Sequence, residues 1–137
     1  MATTSLTVTP IGGRLGARVE GADLRTPPTP AFAEEVRALL DEHLVLVFPE
    51  QHLDDEQHLA FALAFGRPYV HPIGRVLGRT EAGVEHIVDS PERPPYQDRW
   101  HTDVSWVAEP PVYGTLRAIE LPPRGGDTIW TNQYAAY

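Results

Sequence analysis

The order of hydrophobic patterns along the chain predicts an α+β domain in which flanking helices lie against a β-sandwich or barrel. Apolar residues recur twice at helical spacing before Gly66. From Arg67 onward that periodicity disappears, and short β-branched or apolar runs alternate with Gly and Pro. Size points the same way: 137 residues, 42% hydrophobic and 22% charged, suit one soluble core. Such a domain hides roughly two-thirds of its unfolded surface and needs no disulfide or structural metal, provided the whole domain is present.

Leu6 to Thr9 and Leu15 to Val19 read as two short strands around a Gly12-Gly13 turn. The glycines do not make a phosphate loop, because they lead into Glu20-Gly21-Ala22-Asp23 with neither a Lys-Ser/Thr pair nor a helix start. The Thr26 to Pro30 cluster ends in a helix start, with Thr29 as N-cap, Pro30 at the first helical position and Glu34 and Glu35 near the N-terminal dipole. Phe32, Val36, Leu39, Leu40 and His43 form its apolar stripe, His43 at the core edge. Leu44 to Phe48, closed by Pro49, suits a buried strand. Asp54 or Asp55 caps a second helix running to Phe65, with Leu59, Ala62, Leu63 and Phe65 inward and Gly66 at C′. His52 and His58 flank it on polar positions and read as solvated surface. Strands are then expected at Val84 to Val88, Val112 to Ile119 and Thr128 to Thr131, and a last helix begins after Asn132.

All eleven basic residues are Arg, against nineteen acidic ones, giving a net charge of -8. Nucleic acid is a poor partner for such a surface, since phosphate binding wants a basic stripe. With no Cys there are no disulfides, iron–sulfur clusters or thiol nucleophiles. Residues 1–9 lack a secretory signal's basic and apolar regions, and no apolar run approaches the roughly 20 residues that span a bilayer, so cytoplasm is the expected location and no membrane contact is expected.

Three stretches could carry chemistry. In Trp100-His101-Thr102-Asp103-Val104-Ser105-Trp106, His101 and Asp103 leave the same face of an extended chain and bring an imidazole to a carboxylate. Non-haem Fe(II) oxygenases use two His and one carboxylate on one face of an octahedron, and H-x-D supplies two of the three. By itself the motif is weak: six His and eight Asp produce one H-x-D by chance roughly one time in three. A strand-end His bonded to a turn Asp stays open as the plain alternative. The flanking tryptophans as barriers to water, and the Pro91 to Pro95 loop as a cover, favour a site. In the second stretch, Leu121 to Trp130, Gly125-Gly126 permit a tight turn and Thr128 offers a hydroxyl to a carboxylate, although a hairpin followed by an ordinary strand Thr fits equally. His71-Pro72 is the third, a loop histidine whose plain reading is surface. No Gly-x-Ser-x-Gly signature and no glycosidase-type carboxylate pair is present.

Together these stretches resemble the taurine dioxygenase family of Fe(II)- and 2-oxoglutarate-dependent enzymes, which includes 2,4-dichlorophenoxyacetate dioxygenases and alkylsulfatases. The resemblance runs in order through Thr9-Pro10, Gly16-Ala17, Gly21-Ala22-Asp23-Leu24, His43 to Phe48, Phe61, Phe65-Gly66, His71-Pro72, Trp100 to Ser105, Leu121-Pro122 and Gly125 to Trp130. The W-H-T-D-V-S and G-G-D-T-I-W blocks at their separation are highly specific. The resemblance implies a double-stranded β-helix, or jelly roll, with flanking helices, of which residues 1–137 are an incomplete N-terminal half of a single domain. It places iron on His101 and Asp103, 2-oxoglutarate on Thr128 and substrate on His71, with Gln97 lining the same pocket. It further implies O2 as co-substrate and hydroxylation of a small organic anion, a sulfonate or sulfate ester; a homo-oligomer is left open. Gly74 stands three residues after His71, where taurine enzymes carry a tyrosine, which counts against taurine itself.

The family's chain is about twice as long, and its second half holds the distal iron-binding histidine and the arginine that pairs with 2-oxoglutarate. None of His43, His52, His58, His71 or His86 matches the distal position, so the 137 residues alone are expected to be inactive. The competing reading is a truncated, non-catalytic paralogue acting as a binding or structural module. A zinc hydrolase is disfavoured because no general-base Glu sits near the H-x-D as in H-E-x-x-H.

Overall fold

The computed structural model describes residues 5–70, 76, 83–94 and 99–137. Strand β1 (Thr7–Pro10) pairs antiparallel with β2 (Ala17–Glu20), Val8 opposite Val19, and β2 pairs in parallel with β3 (Leu46–Val47), Ala17 opposite Leu46. A parallel pair cannot be joined by a tight turn. Helix α1 (Pro30–His43) makes the crossover between β2 and β3. The hairpin between β1 and β2 closes where the Ile11 N–H donates to the Gly16 carbonyl at 2.9 Å. Gly16 has φ 92°, and a Cβ on Gly12 would lie 2.8 Å from the Leu15 carbonyl oxygen, so this turn demands glycine at both places.

Alternation along β2 buries Ala17 and Val19 and exposes Arg18 and Glu20, whose side chains pair at 3.2 Å. The two buried residues join Leu24, Ala33, Val36 and Phe61 in the core. Helix α1 begins as its sequence dictates, the Thr29 hydroxyl accepting from the Phe32 N–H at 3.2 Å with Pro30 at the first position. Glu34 and Glu35 lie beyond its first turn, where a dipole interaction has faded. At the other end Leu44 takes φ 65°, and the Val45 N–H closes a three-residue turn onto the His43 carbonyl at 2.8 Å. The expected buried strand from Leu44 to Phe48 is reduced to two paired residues at the sheet edge, with Val47 exposed.

Helix α2 (Asp55–Leu63) opens on a capping box: Asp54 accepts from the Gln57 N–H at 2.8 Å, and the Gln57 side chain accepts from the Asp54 N–H at 2.9 Å. It ends at Leu63 rather than Phe65, with Ala64 as C-cap, because the Arg37 guanidinium reaches the Ala64 carbonyl at 2.7 Å. Leu63 faces solvent and Phe61 is the buried aromatic, packed edge-on against Phe48 at 5.9 Å and Phe65 at 5.1 Å. Phe61→Ala is expected to cost about 3–5 kcal/mol by leaving a cavity between two rings, read as an earlier denaturant midpoint of the helical circular-dichroism signal.

The three later strands do not form ladders. Val84–Val88, Val112–Ile119 and Thr128–Thr131 carry no strand assignment, and among the described residues the sheet stops at three strands. Strand character needs a neighbouring backbone to accept and donate, and none lies alongside these segments among the described residues. Residues 112–118 nonetheless keep a period of two. Tyr113 meets Phe65 with ring centroids 6.0 Å apart, Thr115 Oγ1 lies 2.9 Å from His58 Nε2, and Arg117 Nη2 donates to Asp55 Oδ1 at 2.5 Å, so alternate side chains dock on α2 and on Phe65 just beyond its end. This docking buries His58, which the sequence placed at the surface. A short last helix, α3 (Gln133–Ala136), is capped by Asn132, whose side-chain amide also donates to the Arg14 carbonyl at 2.7 Å.

Burial lowers the His58 pKa from its ordinary 6.5, the Arg117 charge lowers it further and Asp55 opposes both. The buried Nδ1 has no hydrogen-bond partner. Between the depressed folded value and the unfolded 6.5 the unfolded chain binds the extra proton, so stability is full above pH 6.5 and declines as pH falls below it. A pH series of unfolding midpoints is expected to show this slope, and His58→Leu should flatten it.

Candidate metal centre

The strand expected around Asp103 does not form, and the chain turns at residues 103–106, directly after His101 and Thr102. Val104 takes φ 52°, a left-handed conformation that β-branched residues avoid, and the Val107 N–H closes onto the Val104 carbonyl at 3.3 Å. The Thr102 and Ser105 hydroxyls, 2.8 Å apart, hold the same bend. Asp103 Oδ1 lies 3.2 Å from His101 Nε2. The convergence expected from the H-x-D spacing is present, just ahead of the turn.

The imidazole is held from behind. His101 Nδ1 lies 2.8 Å from the Arg99 carbonyl oxygen, which can only accept, so Nδ1 carries the proton and donates. That tautomer leaves the Nε2 lone pair aimed at the carboxylate. Two acceptors facing one another attract only through a cation, either a proton on Nε2 or a metal ion. Adjacent ligands of an octahedral ion with bonds of about 2.1 Å stand about 3 Å apart, so the 3.2 Å separation fits a shared metal. A Nδ1–H bonded to a backbone carbonyl is also the support that metal-binding histidines use.

Access is open on this side. The His101 side chain is 49% exposed and that of Asp103 82%. Trp100 and Trp106, expected to exclude water, are exposed. Among the described residues no third His, Cys, Asp or Glu completes a metal-binding group. Thr128 is exposed beyond a turn in which Gly125 and Gly126 take φ 73° and 75°, the left-handed conformation their sequence anticipates. His71 and Gln97, the expected substrate residues, lie outside the described residues, as does Gly74.

Sequence reasoning missed a second polar cluster, at the start of α2. Asp55 Oδ2 lies 2.8 Å from His86 Nε2 while Oδ1 takes Arg117. The partners stand 31 and 62 residues away, beyond the reach of any local spacing rule.

The sequence profile of a family described as taurine catabolism dioxygenase TauD, TfdA matches residues 7–137. An alpha-ketoglutarate-dependent sulfate ester dioxygenase from Pseudomonas putida is 37% identical over 133 residues, covering 96% of this chain and 43% of that protein. An alkylsulfatase from Acinetobacter baylyi is 35% identical over 136 residues, covering 98% of this chain and 42% of that one. The chain therefore spans less than half the length of these relatives. Among solved structures, a taurine dioxygenase from Burkholderia xenovorans is 38% identical with a TM-score of 0.46, covering 47% of this chain and 25% of that chain. No helix among the described residues is long and apolar enough to cross a membrane.

Proposed function

The chain belongs to the taurine catabolism dioxygenase TauD, TfdA family, and from that membership we propose that it is the N-terminal portion of a jelly-roll dioxygenase using Fe(II) and 2-oxoglutarate to hydroxylate a small sulfur oxyanion. The observation that carries the reading is the 3.2 Å approach of His101 Nε2 and Asp103 Oδ1 with Nδ1 committed to a backbone carbonyl. A sulfate ester dioxygenase and an alkylsulfatase among the relatives favour a sulfate ester or sulfonate over an aryloxyacetate.

In this reading His101 and Asp103 are two iron ligands. Bound iron supplies the redox chemistry that couples oxidative decarboxylation of 2-oxoglutarate by O2 to hydroxylation of the substrate carbon next to the heteroatom. The Arg99 carbonyl fixes the imidazole plane, and the two-residue spacing sets the Asp103 carboxylate beside it. Thr128 donates its hydroxyl to a 2-oxoglutarate carboxylate. His71 donates to the anionic head of the substrate and Gln97 lines the same pocket. The third ligand and the arginine that pairs with 2-oxoglutarate are assigned to the portion of the relatives' length that this chain does not span.

Succinate formation by the complete enzyme across taurine, longer alkylsulfonates, alkyl sulfates and aryloxyacetates tests the substrate class. A sulfur oxyanion is expected to turn over best. Taurine should not lead the set, since Gly74 leaves one sulfonate donor fewer. A clear preference for aryloxyacetates overturns the reading.

A further inference from the structure

The loop carrying His101 and Asp103 has two stems, and both are tied to one carboxylate. His86 stands fifteen residues before His101, and Arg117 fourteen residues after Asp103. Asp55, in the first turn of α2, takes His86 Nε2 on Oδ2 at 2.8 Å and Arg117 Nη2 on Oδ1 at 2.5 Å. Each carboxylate oxygen therefore serves one stem. The geometry points to Asp55 as a positioning residue that ties together, on α2, the stems that enter and leave the segment carrying His101 and Asp103.

The surroundings suit that task. Arg117 has only 14% of its side chain exposed, so it has few alternative places to put its charge, and Thr115 on the same face holds the outgoing stem a second time through His58. The His86 contact, the Arg117 charge and the helix N-terminus all favour ionised Asp55, and its carboxyl is lowered from the ordinary 3.8, mainly by the hydrogen bond from His86. Asp55 and His86 are each about half exposed. A single exposed ion pair contributes little. Closing a loop is different, because one residue holds both stems and so offsets the closure entropy of the segment between them.

The inference rests on the proposed metal site only for its affinity arm. Amide hydrogen exchange across residues 99–107 and Mn(II) affinity, read from the EPR signal of free Mn(II), would be measured in the complete protein. Asp55→Ala is expected to speed exchange in 99–107 by roughly three- to tenfold and to weaken Mn(II) binding by about tenfold, the scale on which removed outer supports act on a metal. Asp55→Asn, which leaves one acceptor, should fall between, and Asp55→Glu, which keeps two, should recover most of the loss. Glu56→Ala is the control: it also removes a first-turn carboxylate from the α2 dipole, and should leave both readings unchanged. Should Asp55→Ala fail to fold, His86→Ala removes the incoming tie at an exposed side chain and should speed exchange in the same loop.

Wild-type exchange in 99–107 for both Asp55→Ala and His86→Ala overturns the inference, as does an equal effect of Asp55→Ala and Glu56→Ala. Absence of Mn(II) binding in the wild type, or binding that survives His101→Ala, strikes the metal reading instead, and the exchange arm still decides the role of Asp55.

Discussion

His101→Ala in the complete enzyme is expected to abolish the weak visible charge-transfer band that Fe(II) and 2-oxoglutarate give together under anaerobic conditions, and to lower turnover by more than about 100-fold. The magnitude follows from comparison: removing an outer-shell support of a metal ligand already costs roughly 10- to 100-fold, and the ligand itself matters more. Asp103→Ala should behave alike, since its carboxylate oxygen stands only 3.2 Å from Nε2 and would share the same ion. His52→Ala, at an exposed histidine away from the bend, is the control and should leave the band intact. Iron binding unchanged in His101→Ala would remove the ligand assignment, and the 3.2 Å contact would then be an ordinary His–Asp pair at a turn.

Local signals were legible to within a residue or two, and signals that depend on distant partners were not. Thr29 caps its helix as read, and of Asp54 and Asp55 it is Asp54 that caps α2, because a cap is satisfied by an N–H three residues on. The turn after β1 and the positive φ at Gly125 and Gly126 were readable for the same reason, although the glycines that the turn requires are Gly12 and Gly16 rather than Gly12 and Gly13. The H-x-D spacing located His101 and Asp103 and their convergence, whereas nothing in the sequence advertises the turn that follows at Val104, a non-glycine residue at φ 52°. His58 was misplaced because its burial is created by Thr115 and Arg117, more than fifty residues later. The strand pattern at 112–119 was real as a period of two, since Tyr113, Thr115 and Arg117 share a face. Ladder formation requires a second backbone, which periodicity cannot supply.

The same period of two leaves an apolar surface that is expected to make the 137-residue chain self-associate when expressed alone. Tyr113, Thr115 and Arg117 face α2, which turns Val112 and Leu116 outward; with Ile119, Leu121, Ile129 and Trp130 these residues are between 50% and 82% exposed. Burying each such side chain contributes about 1.5–3 kcal/mol, so six of them together offer on the order of 10 kcal/mol, as much as the whole stability of an ordinary domain. The backbone of residues 112–119 adds peptide groups with no ladder partner, which recruit other chains. Opposing this is a net charge of -8, whose mutual repulsion acts over about 10 Å at 0.1 M salt and less at higher concentration. Size-exclusion chromatography is therefore expected to show oligomers that grow with protein concentration and with added salt. Leu116→Arg combined with Ile119→Arg should shift the distribution toward monomer by replacing two of these exposed apolar side chains with charged ones, whereas Leu63→Arg, at an exposed apolar residue on α2, should not. A monodisperse wild-type monomer with one cooperative denaturant transition would show that the exposed side chains need no cover, and would revive the competing binding-module reading.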